Sequence, residues 1–73
     1  MTVDELQQRR NETKINEIMV LLRDCRGANL SCEDAGDVDE WRRLARIAGR
    51  RLGIPVRTGV SRDGATVWVS EGP

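Results

Sequence analysis

Residues 39–69, DEWRRLARIAGRRLGIPVRTGVSRDGATVWV, carry the clearest structural signals in the sequence. The first half of this stretch places apolar residues every three or four positions, which is the period of one helix face. Its second half alternates apolar and polar residues around Asp63-Gly64, a dipeptide typical of a β-hairpin turn. Gly53, which lies between the two halves, is typical of a helix end. The stretch therefore predicts a helix followed directly by a two-stranded hairpin.

The predicted helix covers residues 37–52. Asp37 is its expected N-cap, with Glu40 at the capping-box position, and Gly53 is its expected left-handed C-terminal residue. At about 100° per residue, one face is apolar and should be buried: Trp41, Leu44, Ala45, Ala48 and Leu52. The opposite face is basic and should be exposed: Arg42, Arg43, Arg46 and Arg50.

The predicted hairpin turns at Asp63-Gly64, which fixes the register of its strands. Val60 then lies opposite Val67 on the inner side, and Thr58 lies opposite Val69. On the outer side, Gly59 lies opposite Trp68, and Arg57 shares that side. A tryptophan beside an arginine on such a face can stack on bases or anchor a protein interface. Otherwise, Trp68 is expected either to cover the bare backbone of Gly59 or to pack on the N-terminal helix.

The N-terminal part predicts another helix, because Ile15, Ile18, Met19 and Leu22 fall on one helical face. Thr2-Val3-Asp4-Glu5 has the pattern of a capping box. Two alternatives remain: one helix over residues 3–25, which we prefer, or a break near Asn11. Residues 1–12 are expected to form a less ordered N-terminal arm, and residues 26–36 a loop that Leu30 anchors in the core.

Together these elements predict an α+β fold, with two helices followed by a C-terminal two-stranded antiparallel β-hairpin. At 73 residues, the chain predicts one small domain over residues 1–73. It has no Phe and no Tyr, so its core is thin. Small folds with thin cores commonly gain stability by oligomerisation, and a homodimer is one expectation.

The charges are separated along the chain. The number of Lys and Arg residues, 12, equals the number of Asp and Glu residues, also 12. Residues 1–40 carry five basic and ten acidic side chains, which gives a net charge of −5. Residues 41–73 carry seven basic and two acidic side chains, which gives a net charge of +5. The basic part can bind phosphates. It can also be an ordinary solvated face, or pair with the acidic part within one molecule or between two.

The composition argues against an enzyme. There is no histidine, so neither Cys25 nor Cys32 has the base partner that a nucleophilic cysteine needs. The spacing of the two cysteines matches no closed zinc site, and we expect both to be reduced thiols. The sequence also contains no glycine-rich phosphate loop. We therefore predict no catalytic residue, metal, cofactor or small-molecule substrate.

The longest apolar run, residues 18–22, is too short to span a membrane, and we predict a cytoplasmic protein.

A basic helix followed directly by a hairpin resembles the recognition helix and wing of winged-helix DNA-binding proteins. The resemblance covers residues 37–70. It implies that the arginines of the basic helix face lie toward the major groove and that Arg62, at the wing tip, reaches phosphate. The AGRRLG segment followed by a strand also resembles small proteins of GC-rich actinobacteria and their phages, and that resemblance implies no activity.

We therefore predict a small non-enzymatic module that binds nucleic acid in a regulatory role. Its expected contact residues are Arg42, Arg43, Arg46, Arg50, Arg57, Arg62 and Trp68. The alternative is a protein-interaction module or small regulatory adaptor. There the acidic N-terminal helix and the Trp68 face would bind a protein partner or a second copy.

Overall fold

The computed structural model describes residues 3–72, with side chains from residue 4 onward. Its elements follow the order α1 (Val3–Cys25), β1 (Gly27–Ser31), α2 (Cys32–Ala35), α3 (Val38–Leu52), β2 (Val56–Val60) and β3 (Thr66–Glu71). The fold is α+β as predicted, but the described residues form three helices and three strands instead of two and two. The capping box predicted at Thr2 lies outside the described residues.

The loop predicted for residues 26–36 is wrong, because this segment contains β1 and the one-turn helix α2. β1 pairs antiparallel with β3 and places Ala28 opposite Val69 and Leu30 opposite Val67. Its sequence, GANLS, is rich in residues that are depleted in strands. Pairing with β3 therefore outweighs local propensity. Ser31 then caps α2, since its hydroxyl accepts a 3.1 Å hydrogen bond from the amide of Asp34.

The three strands form an antiparallel sheet in the order β1-β3-β2. The predicted hairpin register is confirmed, with Val60 opposite Val67 and Gly59 opposite Trp68. At the hairpin tip, the Asp63 carboxylate accepts hydrogen bonds from the Ser61 hydroxyl and from the Ala65 amide. These hydrogen bonds lower the pKa of Asp63, and the bond from Ser61 has the largest effect. The tip is therefore held in one shape by its own side chains.

Helices α1 and α3 pack together and against one face of the sheet. The buried apolar core lies between these layers and consists of Ile15, Ile18, Leu22, Ala35, Trp41, Leu44, Ala45, Ala48, Val67 and Val69. The buried face predicted for α3 is confirmed except at Leu52, which is half-buried. On the other face of the sheet, no described residue of the three strands is buried.

Helix α1 runs without a break from Val3 to Cys25, as the preferred alternative predicted. Residues 4–10 have only exposed side chains, and Asn11 is the first half-buried one. The salt bridge between Glu12 and Arg51 then ties α1 to the end of α3, with nitrogen–oxygen distances of 2.7 and 2.8 Å. The lower order expected for residues 1–12 stays a prediction.

Both ends of α3 are capped as predicted. The Asp37 carboxylate accepts a 3.1 Å hydrogen bond from the amide of Glu40. At the other end, Gly53 is left-handed with φ 69°, and the amide of Ile54 donates to the carbonyl of Gly49 at 2.9 Å. This is a Schellman-type C-terminus. The caps fix where α3 begins and ends, and so where its exposed face lies.

We expect Gly49→Ala to destabilise the fold, although alanine favours helices by about 1 kcal/mol over glycine. A Cβ at Gly49 would lie 2.7 and 2.8 Å from the two γ-methyl groups of Val56. Such overpacking costs about 1–3 kcal/mol, and the β-branched valine cannot rotate away easily. Urea unfolding should show a net loss of stability. A gain over the wild type would contradict this close contact between α3 and β2.

We also expect stability to fall in acid. Hydrogen bonds from Arg51 and Arg43, respectively, lower the pKa values of Glu12 and Glu40 from 4.5, and the pKa of Asp63 is lowered from 3.8. A carboxyl whose pKa is lowered by folding stabilises the fold above its unfolded pKa, and this contribution disappears as pH falls through its folded pKa. Urea midpoints should therefore hold from pH 7 to about 5 and fall below that. Equal midpoints at pH 7 and pH 3 would contradict the expectation.

Candidate nucleic-acid interface

The exposed side of α3 carries three of the predicted contact residues in one row. Arg43, Arg46 and Arg50 follow one another at spacings of three and four, and all three side chains are exposed. The row lies opposite the buried face of the helix, as the periodicity predicted. We call these three residues the basic stripe. The caps at both ends of α3 hold the stripe on a rigid element.

The members of the basic stripe differ in whether their charge is already paired. Arg43 binds the Glu40 carboxylate with both its Nε and a terminal nitrogen, and this hydrogen bonding raises the pKa of Arg43. Arg46 and Arg50 have no salt bridge or hydrogen bond to any side chain between residues 4 and 72. The unpaired positive charge of the stripe therefore lies in the second half of α3.

Arg42 does not join the stripe, although the helical projection grouped it there. Its side chain is half-buried, and its Nη2 donates to the backbone carbonyl of Thr58 at 3.2 Å. Within the described part of the chain, its buried Nε has no hydrogen-bond partner. The reason is the position of β2, which lies beside this flank of α3. Arg42 therefore fastens α3 to the sheet.

The carbonyl that Arg42 covers lies at the free edge of β2. The amide of Ser61 donates to the carbonyl of Thr66, and the amide of Gly72 donates to the carbonyl of Pro55. In an antiparallel ladder, such hydrogen-bonded pairs alternate with pairs that are not hydrogen-bonded. Thr58 is an unbonded position by this alternation, so its backbone groups point outward. A charged side chain over an exposed edge hinders pairing with other strands.

We expect Arg42→Ala to cost about 1–2 kcal/mol of stability, because it removes a charged hydrogen bond and side-chain packing. Arg46→Ala is the matched control on the same helix, and a surface change of this kind stays within about 0.5 kcal/mol. Urea unfolding of both variants measures the difference. Equal midpoints for the two variants would show that Arg42 has no such structural role.

Arg57 and Arg62, the two predicted arginines of the hairpin, are both exposed. Neither has an ion pair or hydrogen-bonded side-chain partner within residues 4–72. Arg62 lies at the tip of the hairpin, next to the hydrogen-bonded Asp63. Arg57 lies on β2 opposite Ser70, on the sheet face that points away from the helices.

Trp68 occupies the centre of that outer sheet face, between Asn29 on β1 and Gly59 on β2. Its side chain is half-buried. A Cβ at Gly59 would lie 2.7 Å from Cζ2 of the Trp68 ring, so the indole covers the glycine backbone. Of the two placements expected for Trp68, the structure shows the cover over Gly59.

The predicted contact residues thus fall on two separate surfaces. The basic stripe points away from the sheet on which α3 packs. Arg57 and Trp68 lie on the opposite side of that sheet, and Arg62 extends from the hairpin tip between the two sides. The stripe and the outer sheet face can therefore be altered independently by mutation.

Two features of this region were not predicted from the sequence. Arg51 pairs with Glu12 across 39 positions, which neutralises an arginine beside the stripe, and no local signal connects the two. An apolar groove of about 280 Å³ also lies between α1, β1 and the start of α3. Ile18, Leu21, Leu30 and Trp41 line it. The missed strand β1 explains why it was not foreseen.

The described residues contain no cluster of three or more His, Cys, Asp or Glu side chains arranged to hold a metal ion. Cys25 is exposed and Cys32 half-buried, and both thiols are free. None of the helices within residues 3–72 is long and apolar enough to cross a membrane.

Comparisons with known proteins give no further assignment. No protein-family model, no curated protein and no solved structure matches the chain.

Proposed function

We propose that this protein is a small non-enzymatic module that binds nucleic acid through the basic stripe of α3, in a regulatory role. The observation that carries the proposal is the pair Arg46 and Arg50. These two guanidiniums, which have no partner side chain within residues 4–72, lie one turn apart on a helix that is capped at both ends. Arginine suits this task because its planar fork can bind phosphate oxygens in pairs.

The charge around the stripe indicates which part of α3 makes the contact. The first turn of α3 is acidic, with Asp39 and Glu40, and would repel phosphates. Arg46 and Arg50 lie farther along the helix, within a part of the chain that carries a net charge of +5 over residues 41–73. Arg62 at the hairpin tip adds a further positive charge that has no salt bridge among the described residues. Contact through the second half of α3 and the hairpin tip fits this distribution.

The arrangement of elements supports the resemblance to winged-helix proteins. The one-turn helix α2 and α3 are separated only by Gly36 and Asp37, a connection as short as that of a helix-turn-helix. The hairpin follows α3 after residues 53–55. In this proposal, α3 lies toward the major groove of a duplex and Arg62 contacts the phosphate backbone.

The test is a map of the contact surface by NMR, with backbone amide signals followed as short duplex DNA or RNA is added. The proposal expects the largest shifts in α3 between Arg43 and Arg51 and at Arg62. Shifts centred on Trp68 and Arg57 would place the contact on the outer sheet face. No shifts at low salt would remove the proposal.

One observation favours a second candidate function, a protein-interaction module. The outer sheet face is not covered by any helix within residues 3–72, and Trp68 lies half-exposed at its centre. Tryptophan and arginine are enriched at protein interfaces, and Arg57 lies on the same face. Binding of a protein there should be lost in Trp68→Ala and depend weakly on salt. Nucleic-acid binding through the stripe should persist in that variant.

A further inference from the structure

Helix α1 carries most of the exposed large apolar side chains of the described residues. Leu6, Val20 and Leu21 are 44%, 45% and 43% exposed, and among the described residues the only other such side chain is that of Val60. Leu6 and Val20 lie on the side of α1 opposite Ile15. Leu21 lies on a flank of the core face and lines the apolar groove. Apolar side chains on one face of a surface helix are typical of a contact surface.

The spacing along this face is that of a helix-packing seam. Leu6, Arg10, Thr13, Glu17 and Val20 follow one another at intervals of four, three, four and three, which is the alternation of a heptad repeat. A shallow depression follows the first part of this seam, with Leu6, Arg10, Thr13 and Glu17 among its lining residues. We call these five residues the α1 seam.

The seam is complementary to itself when a second copy runs in the opposite direction. With a twofold axis near Thr13, Leu6 meets Val20 of the second copy, and Arg10 meets Glu17 of the second copy. Symmetry makes each contact twice. Arg10 and Glu17 have no salt bridge within residues 4–72, so both charges are free to pair between copies.

A parallel arrangement would instead place Arg10 against Arg10 and Glu17 against Glu17. Such like-charge contacts disfavour that arrangement strongly. The seam therefore selects the antiparallel one. We infer that two copies of this chain pair through the α1 seam as an antiparallel, twofold-symmetric dimer.

The first turns of α1 also gain support from this pairing. Residues 4–10 make up about two turns of helix whose side chains are all exposed. Such a short helical segment with only exposed side chains is marginal in water. In the dimer it packs along residues 16–22 of the second copy. This inference does not rest on nucleic-acid binding, and the stripe on α3 plays no part in it.

The test is analytical ultracentrifugation of the full chain over a wide concentration range, without nucleic acid. The wild type should dimerise. Arg10→Glu and Glu17→Arg should each weaken the dimer at least about tenfold, since each places like charges together twice. The double variant with both changes restores opposite charges across the axis, so it should dimerise like the wild type.

Arg23→Glu is the matched control, because it makes the same charge change as Arg10→Glu on a flank of the same helix. It should leave the dimer unchanged. Circular dichroism checks that every variant keeps its helices. A chain that stays monomeric at all concentrations would overturn the inference. So would a dimer that resists both single reversals, or a double variant that fails to recover.

Discussion

Leu22→Ala is expected to leave much of the protein unfolded at room temperature. Leu22 is 1% exposed and lies in the core where α1 packs on α3 and the sheet. Removing a buried leucine side chain costs about 2–5 kcal/mol, because the apolar contacts are lost and a cavity remains. A core this small rarely supplies more than about 3–5 kcal/mol. Far-ultraviolet circular dichroism and urea unfolding measure the loss.

The adjacent residue provides a control with identical chemistry. Leu21 is 43% exposed, and Leu21→Ala should change stability by no more than about 0.5 kcal/mol. Both variants are compared at a protein concentration low enough to keep the chain monomeric, because Leu21 lies beside the proposed dimer seam. Equal losses in the two variants would show that α1 does not pack through the face described here.

The double change Arg46→Glu with Arg50→Glu is expected to abolish nucleic-acid binding and to leave the fold intact. It removes two proposed phosphate contacts and places two negative charges against the phosphates. Like charges brought together at an interface cost several kcal/mol, so a loss of at least about a hundredfold is expected. The fold should persist, because neither arginine has an intramolecular partner among the described side chains.

The control for this variant makes the same change in net charge on a different surface of the protein. Arg23→Glu with Arg26→Glu alters two exposed arginines whose salt bridges, to Asp24 and Glu71, are long at 3.4 and 3.9 Å. Binding should weaken far less than in the stripe variant. The same loss in both double variants would mean that net charge, and no particular surface, governs binding.

The elements that could be predicted are those with strong local signals. Asp37 and Gly53 mark the ends of α3, and Asp63-Gly64 fixes the hairpin register, so the pairing of Trp68 with Gly59 followed. β1 could not be predicted, because GANLS has little strand propensity of its own and exists through its pairing with β3. Interactions between residues far apart in sequence decide such segments.

The same reason limits what could be known of the candidate interface. Periodicity placed Arg43, Arg46 and Arg50 on the exposed side of α3, where the structure has them. It also grouped Arg42 with them, and it could not show that β2 passes close enough for Arg42 to bond the Thr58 carbonyl. Helical projection gives the direction of a side chain, whereas its partners depend on the neighbouring elements.

The most direct test of nucleic-acid binding by the stripe is a salt titration of the wild-type protein with a labelled pool of short duplexes, followed by fluorescence anisotropy. Contact with about three to four phosphates predicts that log affinity falls with log salt at a slope of about −2.7 to −3.6. The number of contacts follows from Arg43, Arg46, Arg50 and Arg62. Binding that is absent even at about 50 mM salt, or that does not weaken as salt rises, would contradict the proposal.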